Sequence, residues 1–331
     1  MIITKTPFRI SFFGGGTDYP KWYLKNNGAV LSATINKYCY ISCRKLPPFF
    51  EHKNRLVYSK IETFSDLNQI QHPSVREVLK FLKINDGLEI HHDGDLPSRS
   101  GLGSSSSFTV GLIHALYSLN SKLISKKDLA DISIHIEQDL IQENVGSQDQ
   151  IAAAYGGINK INFNINGSFD VNQITLSNNR SREFLSHLML FFTGVSRYSN
   201  EIAKSKIDNI DEKSRELSQL YDYVDDSIGI LTNENRSILE FGYLLNESWQ
   251  LKKSLSNKVS SSLIDNIYER SIKNGALGGK ILGAGGGGFM LLFAEPEKHS
   301  ILKQELKEFV HVDFEFEYTG SKLVVYSPNG L

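Results

Sequence analysis

The sequence contains little cysteine, almost no net charge and no long apolar run. Among its 331 residues are two cysteines, Cys39 and Cys43, too few for a disulfide framework or a four-ligand metal site. A formal net charge of −1 gives no electrostatic reason to bind nucleic acid or an anionic membrane. No stretch approaches the roughly 20 apolar residues of a membrane span, and residues 1–13 lack the apolar core of a signal peptide. We therefore expect no nucleic-acid or membrane partner and a cytoplasmic location.

The order of apolar patterns predicts an α+β fold in two domains. The chain is long enough for two packed cores, and its content of 40% hydrophobic and 22% charged residues is typical of a globular protein. Strands are predicted at about 1–13, 29–45, 158–165 and 169–176, and helices at about 74–83, 105–120 and 126–142, with a short helix after residue 146. The predicted domains cover residues 1–182 and 183–331.

The second domain is predicted to combine long helices with short strands. Helices are expected at about 199–228, 234–254, 260–273 and 297–309, and strands at 277–282 and 289–294, followed by two closing strands. The charged stretch from 195 to 243 is typical of solvated helices or of a mobile lid.

A glycine- and serine-rich segment at 96–107 directly precedes a helical pattern formed by Phe108, Leu112 and Leu116. Ser104 or Ser105 is expected near the N-cap of this helix, whose free N–H groups attract anions. Glycine in the loop lets the backbone approach a polyphosphate closely. The segment predicts a phosphate-binding loop, and the alternative is a flexible polar linker.

Two more glycine clusters lie near the ends of the chain, at 14–16 and at 283–288. The second cluster fits the G-x-G-x-x-G pattern of dinucleotide-binding proteins, but a strand-like run at 289–293 follows where that motif requires a helix. We instead expect a turn between two strands that packs against the phosphate-binding loop and lets a substrate approach.

Together the three clusters resemble the signature motifs of the GHMP kinases, the superfamily of galactokinase, homoserine kinase and mevalonate kinase. The form of the motifs at 9–18 and 147–157 is most similar to the branch that holds heptose 7-phosphate kinase and L-fucokinase. Gly15 and Gly16 stand where galactokinase carries Glu and His, so the sugar contacts of galactokinase do not transfer as a set.

The resemblance implies a two-domain GHMP kinase fold, with an S5-like N-terminal domain, a ferredoxin-like C-terminal domain and an active site between them. It implies ATP and Mg²⁺ as cofactors, a sugar phosphate as substrate and transfer to the anomeric C1 hydroxyl of a heptose 7-phosphate. L-fucokinase is the alternative enzyme, and a non-catalytic sugar- or nucleotide-binding regulator is the alternative of another class. Whether the protein forms a homodimer is left open.

The resemblance also assigns roles to three charged residues. Asp149 would orient the acceptor hydroxyl and take its proton, although a helix N-cap is the alternative for this residue. Arg9 would lower the pKa of Asp149 and stabilise charge on the γ-phosphoryl group, with a structural salt bridge as the alternative. Glu137 would bind Mg²⁺ together with Ser105 or Ser104, in preference to its neighbours Asp139 and Glu143.

The remaining candidates form two sets. The ATP-binding candidates are Ser98, Gly101, Leu102, Gly103, Ser104, Ser105 and Ser106. The substrate-binding candidates are Thr17, Asp18, Gly15, Gly16, Arg99, Arg197, Gly285 and Gly286, with Lys5 and Lys204 as further basic residues for a substrate phosphate. For Thr17 and Asp18 the alternative role is that of turn residues.

Overall fold

The computed structural model describes residues 1–195 and 199–328. Its strands are β1 (Ile2–Phe13), β2 (Gly28–Lys45), β3 (Asn54–Val57), β4 (Ile61–Phe64), β5 (Leu88–Gly94), β6 (Ile158–Phe163), β7 (Phe169–Gln173), β8 (Leu188–Phe192), β9 (Ala276–Ile281), β10 (Phe289–Ala294), β11 (Val310–His311), β12 (Phe316–Glu317) and β13 (Lys322–Tyr326). Its α-helices are α1 (Pro20–Asn26), α2 (Pro73–Phe81), α3 (Ser104–Leu119), α4 (Lys126–His135), α5 (Gln148–Tyr155), α6 (Asn178–Ser186), α7 (Ser199–Asp208), α8 (Ser214–Thr232), α9 (Leu239–Ser254), α10 (Ser262–Lys273) and α11 (His299–Glu305).

The long strand β2 organises the first sheet. It pairs with β1 along its length, while one end also pairs with β6 and the other end with β5. In the described part of the chain this sheet has nine strands, with a main path β13-β1-β2-β5-β3-β4. Helix α3 packs on β1 and β2 through a mostly apolar face, which also buries Ser106, Ser107 and Thr109. This packing sets the start of α3 next to the middle of β1, where the Ser107 hydroxyl donates to the Pro7 carbonyl.

The second sheet has the strand order β11-β8-β10-β9, and each of its pairings is antiparallel. Every residue of β10 is buried, as its uninterrupted apolar sequence predicts. Aromatic rings connect the two sheets through α9, because Phe241 of α9 lies 5.6 Å from Phe12 of β1 and 5.7 Å from Phe293 of β10 between ring centroids. The two halves of the chain therefore share one apolar core.

The predicted division at 182/183 differs from the arrangement of the sheets in two ways. It falls inside α6, and strands β12 and β13 pair with β2 and β1 of the first sheet. The second predicted domain thus returns its last strands to the first sheet. Short closing strands carry no sequence signal for which sheet edge they join, since that edge is fixed by tertiary packing.

The helix predicted at 199–228 is two helices, α7 and α8, and the stretch from 195 to 243 is less solvated than expected. Helix α8 buries Leu217, Leu220, Val224 and Leu231, and it packs against α9 and β2. These positions recur every three to seven residues, which is the apolar stripe of a core-facing helix. Among the described helices, none combines the length and the apolar content that a membrane span requires.

Candidate active site

A cavity of about 290 Å³ lies where the first sheet, the start of α3 and the second half of the chain meet. Its walls come from β1 and the loop after it, from the glycine- and serine-rich loop, from the segment before α5, and from α7, α9 and the end of β9. The described side chains that line it include five basic and three acidic residues: Arg9, Arg99, Lys206, Lys252, Lys280, Asp18, Glu143 and Asp149.

The glycine- and serine-rich loop turns into α3 at Gly103, which is the N-cap with φ of +74°. Ser104 and Ser105 come directly after this cap, and the turn itself needs a left-handed residue, which glycine supplies most easily. Both serines line the cavity, so the free N–H groups of the first turn of α3 face it. This is the geometry of an anion-binding helix start.

The third glycine cluster packs directly on this loop, as the sequence predicts. A Cβ on Gly101 would lie 2.4 Å from the Leu282 carbonyl oxygen, and one on Gly283 would lie 2.6 Å from the Gly101 Cα. A Cβ on Gly288 would lie 2.2 Å from the carbonyl oxygen of Ser100, which accepts a hydrogen bond from the Phe289 N–H at 3.1 Å. The turn between β9 and β10 therefore holds the glycine- and serine-rich loop in place.

The ATP-binding candidates divide into residues that line the cavity and residues that do not. Gly101, Gly103, Ser104, Ser105 and Ser106 line it. Ser98 is exposed and lies outside the lining, and Leu102 is fully buried in the core. The Leu102 carbonyl accepts a hydrogen bond from the Arg9 N–H at 3.0 Å, so this residue positions the loop on β1.

Arg9 and Asp149 form a bidentate ion pair beside the loop. Arg9 Nε donates to Asp149 Oδ1 at 2.7 Å and Nη2 donates to Oδ2 at 2.8 Å, while Nη1 donates to the Gly101 carbonyl at 2.7 Å. Ser147 is the N-cap of α5, so the alternative role of Asp149 as the cap is excluded. Burial raises the pKa of Asp149, and the Arg9 guanidinium opposes that rise.

Glu137 lies in a π-helical turn that follows α4. Its Oε2 accepts hydrogen bonds from Ser106 Oγ at 2.8 Å and from Gln150 Nε2 at 2.5 Å, and its Oε1 has no partner among the described residues. Burial, with Glu143 nearby, raises the pKa of Glu137 to about 7. The structure thus brings Glu137 to Ser106 rather than to Ser105, while Asp139 is exposed and pairs with His135.

The loop after β1 supplies one acidic side chain to the cavity. Asp18 is 3% exposed, and its carboxylate accepts from the Gly16 N–H at 2.9 Å and from Gln148 Nε2 at 2.7 Å. Gly15 and Gly16 line the cavity with it. Thr17 does not line the cavity. Its hydroxyl donates to carbonyls within the loop and at the start of β2, as its alternative role in turn formation predicts.

The other substrate candidates are scattered. Arg99 lines the cavity. Gly285 and Gly286 pack against Val259 and lie outside the cavity lining. Lys5 lies over the Tyr38 ring, and Lys204 is exposed. Arg197 falls outside the described residues.

Three buried lysines in the cavity were not predicted. Lys280 Nζ donates to the Phe12 carbonyl at 2.5 Å, Lys252 Nζ donates to the carbonyls of Ile281 and Gly283, each at 2.8 Å, and Lys206 Nζ lies 5.4 Å from the centre of the Tyr19 ring. They belong to β9, α9 and α7, far apart along the chain. Lys280 lies three residues before the third glycine cluster, whereas Lys206 and Lys252 have ordinary helical neighbours. Only the fold reveals that all three line one cavity.

Two further polar atoms in the cavity wall lack partners among the described residues, Ser11 Oγ and Gln148 Oε1. Ser11 follows Arg9 by two residues on β1, so strand alternation places both side chains on one face. That periodicity was the available signal for Ser11. Buried polar atoms of this kind are normally hydrogen-bonded, which indicates that a polar ligand satisfies them.

Comparison with known proteins agrees with these features. Residues 73–157 match the GHMP kinases N terminal domain and residues 231–312 match the GHMP kinases C terminal domain. The chain is 33% identical over 336 residues, covering 97% of this chain and 98% of the relative, to D-glycero-alpha-D-manno-heptose 7-phosphate kinase of Campylobacter jejuni. The chain belongs to the GHMP kinase family. The predicted α+β GHMP kinase fold is confirmed, and the protein is an ATP-dependent sugar kinase of that family.

Two other relatives extend this picture. The crystal structure of a D-glycero-D-manno-heptose 1-phosphate kinase from Bacteroides thetaiotaomicron superimposes on this GHMP kinase with a TM-score of 0.81. The two sequences are 22% identical, and the match covers 99% of this chain and 100% of the other. At this identity the likeness shows a common fold. The bifunctional fucokinase/GDP-fucose pyrophosphorylase of Arabidopsis thaliana is 26% identical over 93% of this chain and 31% of its own length.

Proposed function

We propose that this GHMP kinase transfers the γ-phosphoryl group of ATP to the anomeric C1 hydroxyl of D-glycero-D-manno-heptose 7-phosphate, giving the 1,7-bisphosphate. Such a product is a precursor for nucleotide-activated heptose. The observation that carries this substrate is the 33% identity to the Campylobacter jejuni kinase over almost the full length of both chains. The cavity adds the chemical groups that the transfer requires.

In the proposed step, the C1 hydroxyl oxygen attacks the γ-phosphorus of ATP. The new C1–O–P bond forms as the bond from the γ-phosphorus to the β,γ-bridging oxygen breaks, and ADP leaves with that electron pair. The hydroxyl proton passes to the Asp149 carboxylate, which the bidentate contact with Arg9 holds in one orientation. Arg9 also supplies fixed positive charge next to the loop through its contact with the Gly101 carbonyl.

The surroundings of Glu137 fit a magnesium ion. Glu137 Oε1 is buried without a partner among the described residues, and the Ser106 hydroxyl next to it lines the cavity. Mg²⁺ takes oxygen ligands and is commonly held by one or two carboxylates together with substrate phosphates. We infer that Glu137 and the hydroxyl of Ser106 or Ser105 hold it, with Glu143 as a second carboxylate in the wall. When bound, the ion neutralises charge on the ATP phosphates.

L-Fucose is the second candidate acceptor, since the Arabidopsis thaliana relative is a bifunctional fucokinase. Both candidates accept a phosphoryl group on a sugar hydroxyl, so Asp149 and Arg9 serve either reaction. The two differ in whether the acceptor already carries a phosphate.

ADP release with Mg-ATP across a panel of acceptors separates the candidates. The panel contains heptose 7-phosphate, mannose 6-phosphate, L-fucose, galactose, homoserine and mevalonate, and phosphorus NMR identifies the position of the new phosphate. Selective turnover of heptose 7-phosphate with a new anomeric phosphate is the expected result. Turnover of L-fucose alone would overturn the heptose proposal and keep the site chemistry.

A further inference from the structure

The three buried lysines of the cavity carry more positive charge than the kinase chemistry described above uses. Lys206, Lys252 and Lys280 are 7%, 5% and 3% exposed, respectively. Lysine is almost never fully buried unless it is paired, because removing an ammonium group from water is costly. Within the described part of the chain, no carboxylate forms an ion pair with any of the three.

The nearest acidic groups are already occupied. Asp149 is neutralised by its bidentate contact with Arg9. Asp18 accepts hydrogen bonds from the Gly16 N–H and the Gln148 amide rather than from a lysine. The buried ammonium groups therefore face a cavity whose own carboxylates do not satisfy them.

The three lysines lie close enough together to act on one another, and they contact different parts of the cavity wall. Lys252 binds the carbonyl of Gly283, which packs on Gly101, so it belongs to the side of the phosphate-binding loop. Lys280 binds the Phe12 carbonyl at the end of β1, and Lys206 lies over the Tyr19 ring. Both contacts flank the loop that carries Asp18, which we assign to the acceptor.

An ammonium group has three donors, and most of these are unused on the acceptor side. Lys280 has one backbone acceptor, and Lys206 has none among the described residues. Ser11 Oγ, also without a partner in the described structure, faces the same cavity. Burial lowers the pKa of Lys206 to about 8 and that of Lys280 to about 7. An anion placed between them would restore the charged form of both.

We propose that Lys206 and Lys280 bind the phosphate group that the acceptor sugar carries before the transfer. A phosphate monoester has close to two negative charges at neutral pH and three strong acceptor oxygens, which match two ammonium groups and a serine hydroxyl. A neutral sugar would bring no negative charge of its own to either lysine. This inference rests on the proposed function and identifies the residues that select a phosphorylated acceptor.

The test compares an acceptor with and without its phosphate. We measure kcat/KM for heptose 7-phosphate and for unphosphorylated D-glycero-D-manno-heptose with the wild type, Lys206→Met and Lys280→Met. The matched control is Lys204→Met, which removes an exposed lysine two residues away on the same helix. Thermal unfolding shows whether each variant is folded. If Lys280→Met does not fold, the result for Lys206→Met by itself tests the proposal.

The expected result is that the wild type prefers the phosphorylated sugar and that both variants lose this preference by about 30-fold or more, the effect of truncating one partner of a buried charge pair. Lys204→Met keeps the preference. Equal losses for both sugars would overturn the inference, because they would assign the lysines a merely structural role.

The outcome is separable from that of the proposed function. If the acceptor panel identifies another phosphorylated sugar, the heptose assignment fails, and the same measurement on that sugar and its dephosphorylated form decides the role of the lysines. If the panel identifies an acceptor without phosphate, such as L-fucose, the inference is overturned as well.

Discussion

The two sides of the cavity are built in different ways. The proposed nucleotide side comes from one continuous segment, in which the loop at 98–103 runs straight into α3 and the backbone itself offers the donors. The proposed acceptor side is assembled from the loop after β1, the segment before α5, α7 and β9. The first kind of site leaves a local sequence motif. The second kind exists only once distant elements have packed together.

Asp149 joins these two sides, and its substitution is expected to have the largest effect. It contacts Arg9, which holds the Gly101 carbonyl, and it follows Gln148, which holds Asp18. Asp149→Asn removes the proton acceptor while keeping the shape, so we expect kcat to fall by roughly 10²- to 10⁴-fold. Binding of ATP should persist, which fluorescence titration with a nucleotide analogue measures.

Asp139→Asn is the control for this substitution. Asp139 is exposed and pairs only with His135 among the described residues, so its loss should change kcat by less than about twofold. A near-normal kcat for Asp149→Asn would show that the acceptor proton leaves by another route, and the assigned role would be wrong.

Sequence reasoning identified residues in two ways. Gly101 and Gly103 lie in a short motif next to a helix start, so their positions in the cavity followed from the local pattern. Asp149 was assigned through the family resemblance, since the Arg9 that holds it is distant along the chain.

Lys206 and Lys280 were not identified, because a lysine on a helix or strand is normally solvated, and the glycine cluster after Lys280 does not by itself bury it. Lys206 is buried against Tyr19 and Lys280 against Phe12. Both partners lie near the start of the chain, far away along the sequence.

The same reasoning explains the candidates that lie outside the cavity. Ser98 and Leu102 are part of the loop motif, but the loop turns at Gly101 and Gly103, so one points to solvent and the other into the core. A motif identifies a segment. The alternation of side chains within an irregular segment depends on its φ values, which the composition alone does not determine.

Opposite pH dependences of stability are the next largest expected difference between the two sides. Glu137, near the loop, has a pKa raised to about 7, so the folded protein binds more protons than the unfolded chain between pH 4.5 and 7. Its contribution to stability is therefore lost as the pH rises, by about 3 kcal/mol in total. Lys280 has a pKa lowered to about 7, so its contribution is present at high pH and is lost as the pH falls from 10.5 to 7.

Urea denaturation in the presence of a chelator measures both effects. Compared with the wild type, Glu137→Gln should lose the decline in stability from pH 5 to 7, and Lys280→Met should lose the rise from pH 7 to 10. Identical pH profiles for the wild type and both variants would show that neither group is held in its less charged form.

Gly101→Ala tests how tightly the nucleotide side depends on packing against the second half of the chain. The new Cβ would lie 2.4 Å from the Leu282 carbonyl at a φ of +83°. Gly167→Ala is a matched control, since Gly167 has a φ of +84° and its nearest atom would be 3.9 Å away. Both variants incur backbone strain, and we expect Gly101→Ala to lose a further 1–3 kcal/mol, roughly, from overpacking.

The kinetic effect of Gly101→Ala should fall on the nucleotide. The KM for ATP should rise more than the KM for the sugar, because the loop moves while the acceptor side keeps its own contacts. Equal increases in both constants would contradict the separation of the two sides and would indicate that the cavity deforms as one unit.

The smallest difference is expected between two serines of the glycine- and serine-rich segment, Ser106 in the first turn of α3 and Ser98 in the loop before it. Ser106 lines the cavity and donates to Glu137, whereas Ser98 is exposed and outside the lining. Ser106→Ala removes a hydrogen bond to a buried carboxyl group, so we expect about a tenfold rise in the KM for Mg-ATP. Ser98→Ala should stay within about twofold, as for most surface substitutions. Equal effects of the two variants in steady-state kinetics would contradict this prediction. They would show that the whole segment, and not only the residues that line the cavity, contributes to nucleotide binding.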